Sequence, residues 1–165
     1  MKILVLLLLP FSALVANVEA IVQVLAGTVK QAGFFISSDG DLLTLYHPIK
    51  EESVITIEHQ NHFYLATLRS HDHDIAHLEI PGHDFPFLEI GNAPTRGEWG
   101  LIGGYAFRRA YLRRTMVSGH LSELLLLDTP LNPTEIGGPL LSLDGKVIGL
   151  NCANKETLGL SIPLE

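Results

Sequence analysis

The sequence predicts an all-β domain, and three observations carry that reading. Short runs rich in Val, Ile, Leu, Phe and Thr recur along the chain between turn signals, the pattern of a sandwich or barrel. Asp39-Gly40 and Asp144-Gly145 each join two such runs, and glycine supplies the positive φ that tight hairpins need. After the first twenty residues no segment carries an amphipathic helical period.

In chain order the predicted strands are residues 21–29, 33–37, 42–46, 54–59, 63–69, 75–80, 99–102, 115–121, 124–128, 140–143, 146–151 and 158–162. The first is rich in Ile and Val, and the second runs through Phe34-Phe35-Ile36 into the Asp39-Gly40 turn that returns the third. The fourth and fifth meet at Gln60-Asn61, with His59 and His62 flanking the turn and read as exposed. A polar stretch, His71-Asp72-His73-Asp74, precedes the sixth. Pro86, Gly91 and Pro94 then punctuate a short, still apolar stretch near 87–94, which reads as a crossing between two strand-rich halves. Arg108-Arg109 and Arg113-Arg114, split by Ala110-Tyr111-Leu112, read as a solvated hairpin end.

Residues 1–20 read as a secretory signal. Lys2 is the basic start, Ile3 begins an apolar run that Leu9 closes, and Val18-Glu19-Ala20 ends at a small residue suited to cleavage. Pro10, Ser12 and Asn17 interrupt the stretch, whereas a spanning helix wants about 20 predominantly apolar residues. The expectation is a mature chain starting near Ile21, exported to a periplasm or the extracellular space and without stable membrane insertion. Cys152 is the only cysteine, so no intrachain disulfide can form and core packing must stabilise the domain. The formal charge is −7, and removal of the leader leaves it unchanged because Lys2 and Glu19 cancel. That balance argues against nucleic acid, which selects for clustered Lys and Arg.

Three separated stretches resemble one known pattern. Residues 33–44 lead into Leu45-Tyr46-His47, which resembles the strand, turn and strand that deliver the catalytic histidine in HtrA/Deg-type members of the trypsin-like serine protease superfamily. Residues 70–80 look like the segment carrying the catalytic aspartate, with Asp74 before the apolar strand. Asn132-Pro133-Thr134-Glu135-Ile136-Gly137-Gly138-Pro139-Leu140-Leu141, followed by the Asp144-Gly145 hairpin, is similar to the nucleophile loop. Arg96-Gly97-Glu98-Trp99 and residues 117–122 add to the likeness, which covers nearly all of the mature chain in the right order. It implies two packed small antiparallel β-barrels, the first over about 21–90 and the second over about 91–165, with no cofactor. With the last predicted strand close to residue 165, the PDZ domain common in such proteins is not expected here.

The family's chemistry needs a serine hydroxyl that attacks a peptide carbonyl, a histidine that takes its proton, and an aspartate that orients the histidine. The resemblance puts His47 and Asp74 in the last two roles and Ile136 in the first. Isoleucine has no nucleophilic atom, and covalent acyl transfer requires one. Thr134 stands where the family has an oxyanion-loop glycine, and Glu135 where it usually has asparagine, while Gly137 and Gly138 remain. A β-branched residue is strained in the conformations that a glycine at 134 would adopt. His47 and Asp74 are then expected to persist as a buried pair that satisfies its own hydrogen bonds.

The reading is therefore a non-catalytic homologue, a pseudoprotease, that binds a protein or extended peptide. The rival within the fold is an active endopeptidase with an unconventional nucleophile such as Thr134. From another class comes a histidine-rich metal-binding module, since an extended segment would put His71, His73 and His77 on one side; a solvated loop is preferred, because no cysteine joins the cluster, and no metal is expected. By resemblance the peptide would pair with an edge formed by Lys146, Val147, Ile148, Gly149, Leu150 and Asn151, continuing into Cys152 and Lys155, beside a pocket that Ile136 lines with apolar surface.

Overall fold

The computed structural model describes residues 18–164. Twelve strands form two closed antiparallel barrels, and every predicted strand overlaps one of them. The first barrel closes in the order β1-β2-β3-β6-β5-β4: β1 (Ile21–Ala26), β2 (Val29–Phe35), β3 (Asp41–Leu45), β4 (Ile55–His59), β5 (His62–Asp72) and β6 (Ile75–Glu79). The second closes as β10-β11-β12-β9-β8-β7: β7 (Trp99–Ala106), β8 (Arg109–Leu121), β9 (Leu124–Leu127), β10 (Pro139–Ser142), β11 (Val147–Lys155) and β12 (Leu158–Pro163). Two short 3-10 turns, His47–Ile49 and Pro133–Glu135, are the other named elements. Closure removes sheet edges, a property that decides below where a peptide can dock.

Local chemistry explains where the strands depart from expectation. The predicted strand 21–29 is split, because Gly27 takes φ +59 and turns β1 back on β2 with Ala26 opposite Val29. The predicted strand 99–102 runs on to Ala106: Gly103 and Gly104 lie so close to Pro139, Ile21 and Tyr111 that a Cβ would collide with them. β8 correspondingly begins at Arg109, so Arg108 and Arg109 do stand at an exposed hairpin end, as expected, whereas Arg113 and Arg114 lie further along the strand. His59 corrects the reading of an exposed turn residue. It is buried, edge-on to Phe35 at 5.2 Å, with Nε2 2.8 Å from the Glu19 carbonyl oxygen. Burial consequently holds its pKa below the ordinary histidine value.

Two apolar cores follow. One fills the first barrel with Val22, Val24, Phe34, Leu42, Ile57 and Leu78 and continues across the interface through Leu141, Val147 and Leu150. The other lies inside the second barrel around Ile102, Val117, Leu125, Leu127 and Leu140, and Ile136 packs against both. Between the barrels residues 80–98 cross without regular structure, pinned by buried Leu88, whose N–H donates to the Phe35 carbonyl at 2.9 Å, and by Gly91 and Glu89 bonded to Val147.

Of the leader read at residues 1–20, positions 1–17 fall outside the described residues. Val18, Glu19 and Ala20 run directly into β1; Ala20 is fully buried and its carbonyl accepts the Phe35 N–H at 3.0 Å. One backbone hydrogen bond, the His59 bond to the Glu19 carbonyl and one buried methyl are together worth about 3 kcal/mol. A chain starting at Ile21 should be less stable by about that amount than one starting at Val18, as measured by urea unfolding of the two purified forms.

Candidate functional site

The loop that carries Ile136 is held by its own backbone. Glu135 N–H donates to the Asn132 carbonyl at 2.9 Å, Ile136 N–H to Pro133 at 3.4 Å, and Gly138 N–H to Glu135 at 3.0 Å. An oxyanion hole needs donors aimed at a reacting oxygen. Here the Ile136 N–H is turned into the loop instead. Thr134 lies within the 3-10 turn, and it is not among the residues with positive φ, so the strain expected at this position is absent: the loop has taken a conformation that does not need glycine there. Gly137 does need to be glycine. It takes φ +86, and a Cβ would collide with the Ala32 carbonyl oxygen. The Ile136 carbonyl accepts from Ala32 N–H at 2.8 Å, and Gly137 N–H donates to the Asn151 carbonyl at 2.8 Å. The loop is thereby tied to both barrels.

Glu135 is the hub of a polar network. Its side chain is completely buried, yet both carboxylate oxygens are occupied. Arg113 donates from Nη2 to Oε1 at 2.7 Å and from Nε to Oε2 at 2.9 Å, a two-pronged pairing. The Tyr111 hydroxyl donates to Oε2 at 3.0 Å, and Asn132 N–H to Oε1 at 2.7 Å. Burial pushes the carboxyl's pKa up, but Arg113, the Asn132 N–H and Tyr111 together outweigh it and hold it below the ordinary value. Arg113 also reaches the Pro130 carbonyl at 2.7 Å. The reading of Arg113 as part of a solvated hairpin end is thus corrected, while Arg114 points elsewhere and covers the Trp99 ring at 4.8 Å. No sequence signal joined Arg113 to Glu135, which lie 22 residues apart.

His47 and Asp74 meet, but not as the expected buried pair. His47 is exposed at the start of the first 3-10 turn, and Asp74 is half-buried between β5 and β6. Asp74 Oδ1 accepts the backbone N–H of His47 at 2.6 Å, and its carbonyl accepts Tyr46 N–H at 2.7 Å. The carboxylate therefore clamps the backbone at 46–47, and the His47 ring has no hydrogen-bond partner among the described residues. Thr134 is no substitute nucleophile, because its hydroxyl is bonded to Tyr111 at 2.6 Å. Cys152 lies near Asp74 but its thiol is half-buried and contacts the Leu160 carbonyl at 3.4 Å. Burial first, and then the negative charge of Asp74, push its pKa up to about 11. Alkylation of native protein by iodoacetamide at pH 8 should be about a hundredfold slower than that of the urea-unfolded chain, since the thiolate is the reactive form.

The three histidines considered as metal ligands are separated. His71 stacks on Tyr46 at 3.8 Å, His73 turns with φ +52 and bonds Asp72 at 2.7 Å, and His77 Nε2 bonds Asp41 at 2.9 Å. The turn at 73–74 breaks the parity that would have aligned them. Among the described residues no group of three His, Cys, Asp or Glu could hold a metal. The strand expected to offer a peptide edge is paired on both sides over most of its length. Val147, Ile148, Leu150 and Asn151 are buried, and β11 pairs with β10 through 147–150 and with β12 through 149–155. Lys146, Val147, Ile148, Gly149, Leu150 and Asn151 are therefore interior to the sheet or its hairpin. Beyond Asn151, whose N–H and carbonyl are spent on Gly138 and Gly137, the flank away from β12 has no strand beside it among the described residues. The open edge is residues 152–155, next to the Ile136 loop.

The fold agrees with comparisons to known proteins. A family model described as a trypsin-like peptidase domain matches residues 31–150. The chain is similar to a probable periplasmic serine endoprotease DegP-like of Chlamydia muridarum, 31% identical over 143 residues that cover 76% of this chain and 28% of the relative. It is also similar to the equivalent protein of Marinomonas sp., 33% identical over 134 residues, 73% of this chain and 29% of the relative. It thus spans less than a third of the length of these relatives. Among solved structures, the serine endoprotease from Yersinia pestis superposes with a TM-score of 0.82 at 26% identity, over 93% of this chain and 62% of that one.

Proposed function

Because this chain belongs to the trypsin-like peptidase domain family, in its HtrA/DegP-like group, we propose that it is a non-catalytic member that binds an extended segment of a protein partner. One observation carries the reading: the nucleophile position is Ile136, on a loop whose neighbouring carboxylate is locked by Arg113 and Tyr111. A chain with neither a nucleophile nor an outward-facing oxyanion donor at 136 retains the fold's other capacity, strand pairing. Backbone hydrogen bonds supply affinity in that mode, and alternate side-chain pockets supply preference. The edge at 152–155 is the place for it, with half-buried Ile136 nearby as apolar surface. The periplasmic relatives and the apolar leader support an exported location.

Affinity should be weak for a lone peptide, which loses conformational freedom on docking. Titration of labelled extended apolar peptides should give saturable binding. N-methylation at alternate residues of the peptide, which deletes backbone donors on one side only, should weaken it at least tenfold for one of the two alternations. Equal binding of both alternations and of the unmodified peptide would show that no strand pairing occurs.

A further inference from the structure

The β7–β8 hairpin tip lies apart from the edge at 152–155 and has three features that the proposed strand pairing does not use. The two-residue turn is Phe107-Arg108, with Ala106 opposite Arg109. Both turn residues adopt left-handed conformations, at φ +53 and φ +61. Such turns favour Asn-Gly, and a bulky residue there is a conformational outlier. Phe107 is moreover 99% exposed. The turn thus holds an aromatic ring in water at a backbone cost, with no packing inside the domain in return.

Beside the tip an open groove of about 1130 Å³ runs between the hairpin and the loop at 132–134, walled by Tyr105, Phe107, Ala110, Tyr111 and Pro133. Among the described residues its only formally charged lining residue is Arg109, and no acidic side chain lines it. In a chain of net charge −7 this is a local reversal of sign. Arg108 is faced by Glu58 at 3.9 Å, and Arg108 and Arg109 both border an adjoining cavity that Glu19 also lines; the Arg109 side chain makes no ion pair within 4 Å and no hydrogen bond among the described residues. Tyr111 is already engaged by Thr134 and Glu135, so its ring offers a fixed wall.

We propose that this groove docks a peptide in which a large apolar side chain neighbours an acidic one, the apolar group lying against Phe107 and Tyr111 and the carboxylate pairing with Arg109. Apolar walls give the contact area and the lone cation fixes orientation, the usual division of labour in a binding cleft. An acidic neighbour is selected because Arg109 is unneutralised, and a basic one would meet like charge.

Fluorescence anisotropy on the full chain tests this with three peptides sharing one Leu-Phe core, flanked by Glu, Gln or Lys. The Glu peptide should bind at least tenfold more tightly than the Lys peptide at physiological salt, and Arg109→Glu should invert that order. Phe107→Gly should weaken the Glu peptide at least tenfold while the melting temperature stays level or rises, because glycine suits the left-handed turn. That pairing separates loss of binding from loss of folding. N-methylation of the peptide backbone at alternate residues should have less effect than either substitution, which distinguishes this groove from the edge at 152–155. Equal affinity for the Glu and Lys peptides, wild-type binding by both variants, or no binding at millimolar peptide would overturn the proposal.

Discussion

Replacing Arg113 with alanine is expected to lower stability by about 3 kcal/mol at neutral pH, the lower end of the usual cost of stranding one member of a buried ion pair. Glu135 is fully buried and depends on Arg113 for two of its hydrogen bonds. Arg113 itself keeps about a third of its side chain in solvent, which is why the lower figure applies. The sign of the pH dependence follows from linkage. Glu135 has a folded-state pKa below the ordinary glutamate value of 4.5, so the unfolded chain binds its proton more readily. Its contribution is then fully present above about pH 4.5 and is lost as pH falls through the lower folded value. In Arg113→Ala the largest influence that offsets burial is gone and only the Asn132 N–H and Tyr111 remain, so the deficit relative to wild type should shrink as pH drops toward 3. Urea unfolding of both proteins at pH 7 and pH 3.5 checks this, and Glu135→Gln added to Arg113→Ala should recover part of the loss by removing the stranded charge.

Restoring the serine alone, Ile136→Ser, should yield no measurable acylation, although a full triad exceeds one lacking its nucleophile by on the order of a million-fold. The Ile136 N–H is committed to Pro133, and the loop is fixed through Glu135. Adding Thr134→Gly frees one position but leaves the Arg113 pairing in place. Labelling by a fluorophosphonate should emerge only when Glu135→Asn is added as well, and should stay far below that of a complete protease, because Asp74 binds the His47 backbone and not its ring. Strong labelling of the single variant would mean that the loop opens at little cost and that the Glu135 network does not control it.

How much of this was legible in the sequence differs between the fold and the site. Strand positions followed from apolar runs and from turn residues such as Gly40 and Gly145, whose φ values of +99 and +87 are the backbone reason for the hairpins. Those signals are local. His47, Asp74 and Ile136 were found through a resemblance that spans several motifs. What escaped was long-range: Arg113 looked solvated because its partner lies 22 residues further on, and His59 looked exposed because Phe35 and Glu19 cover it from other strands. The interior character of 147–151 depends on barrel closure, which places β10 and β12 on either side of β11. The mode of contact between Asp74 and His47 is decided by side-chain direction, which residue order does not encode.

The most direct measurement of the central claim is hydrolysis of unfolded casein by the unmodified protein, repurified to constant composition and assayed beside His47→Ala. Without a nucleophile at 136, both proteins should leave casein intact over a day and at the same background rate. Turnover that survives repurification and disappears in His47→Ala would contradict the account, because it would require an acylating group that Ile136 cannot supply.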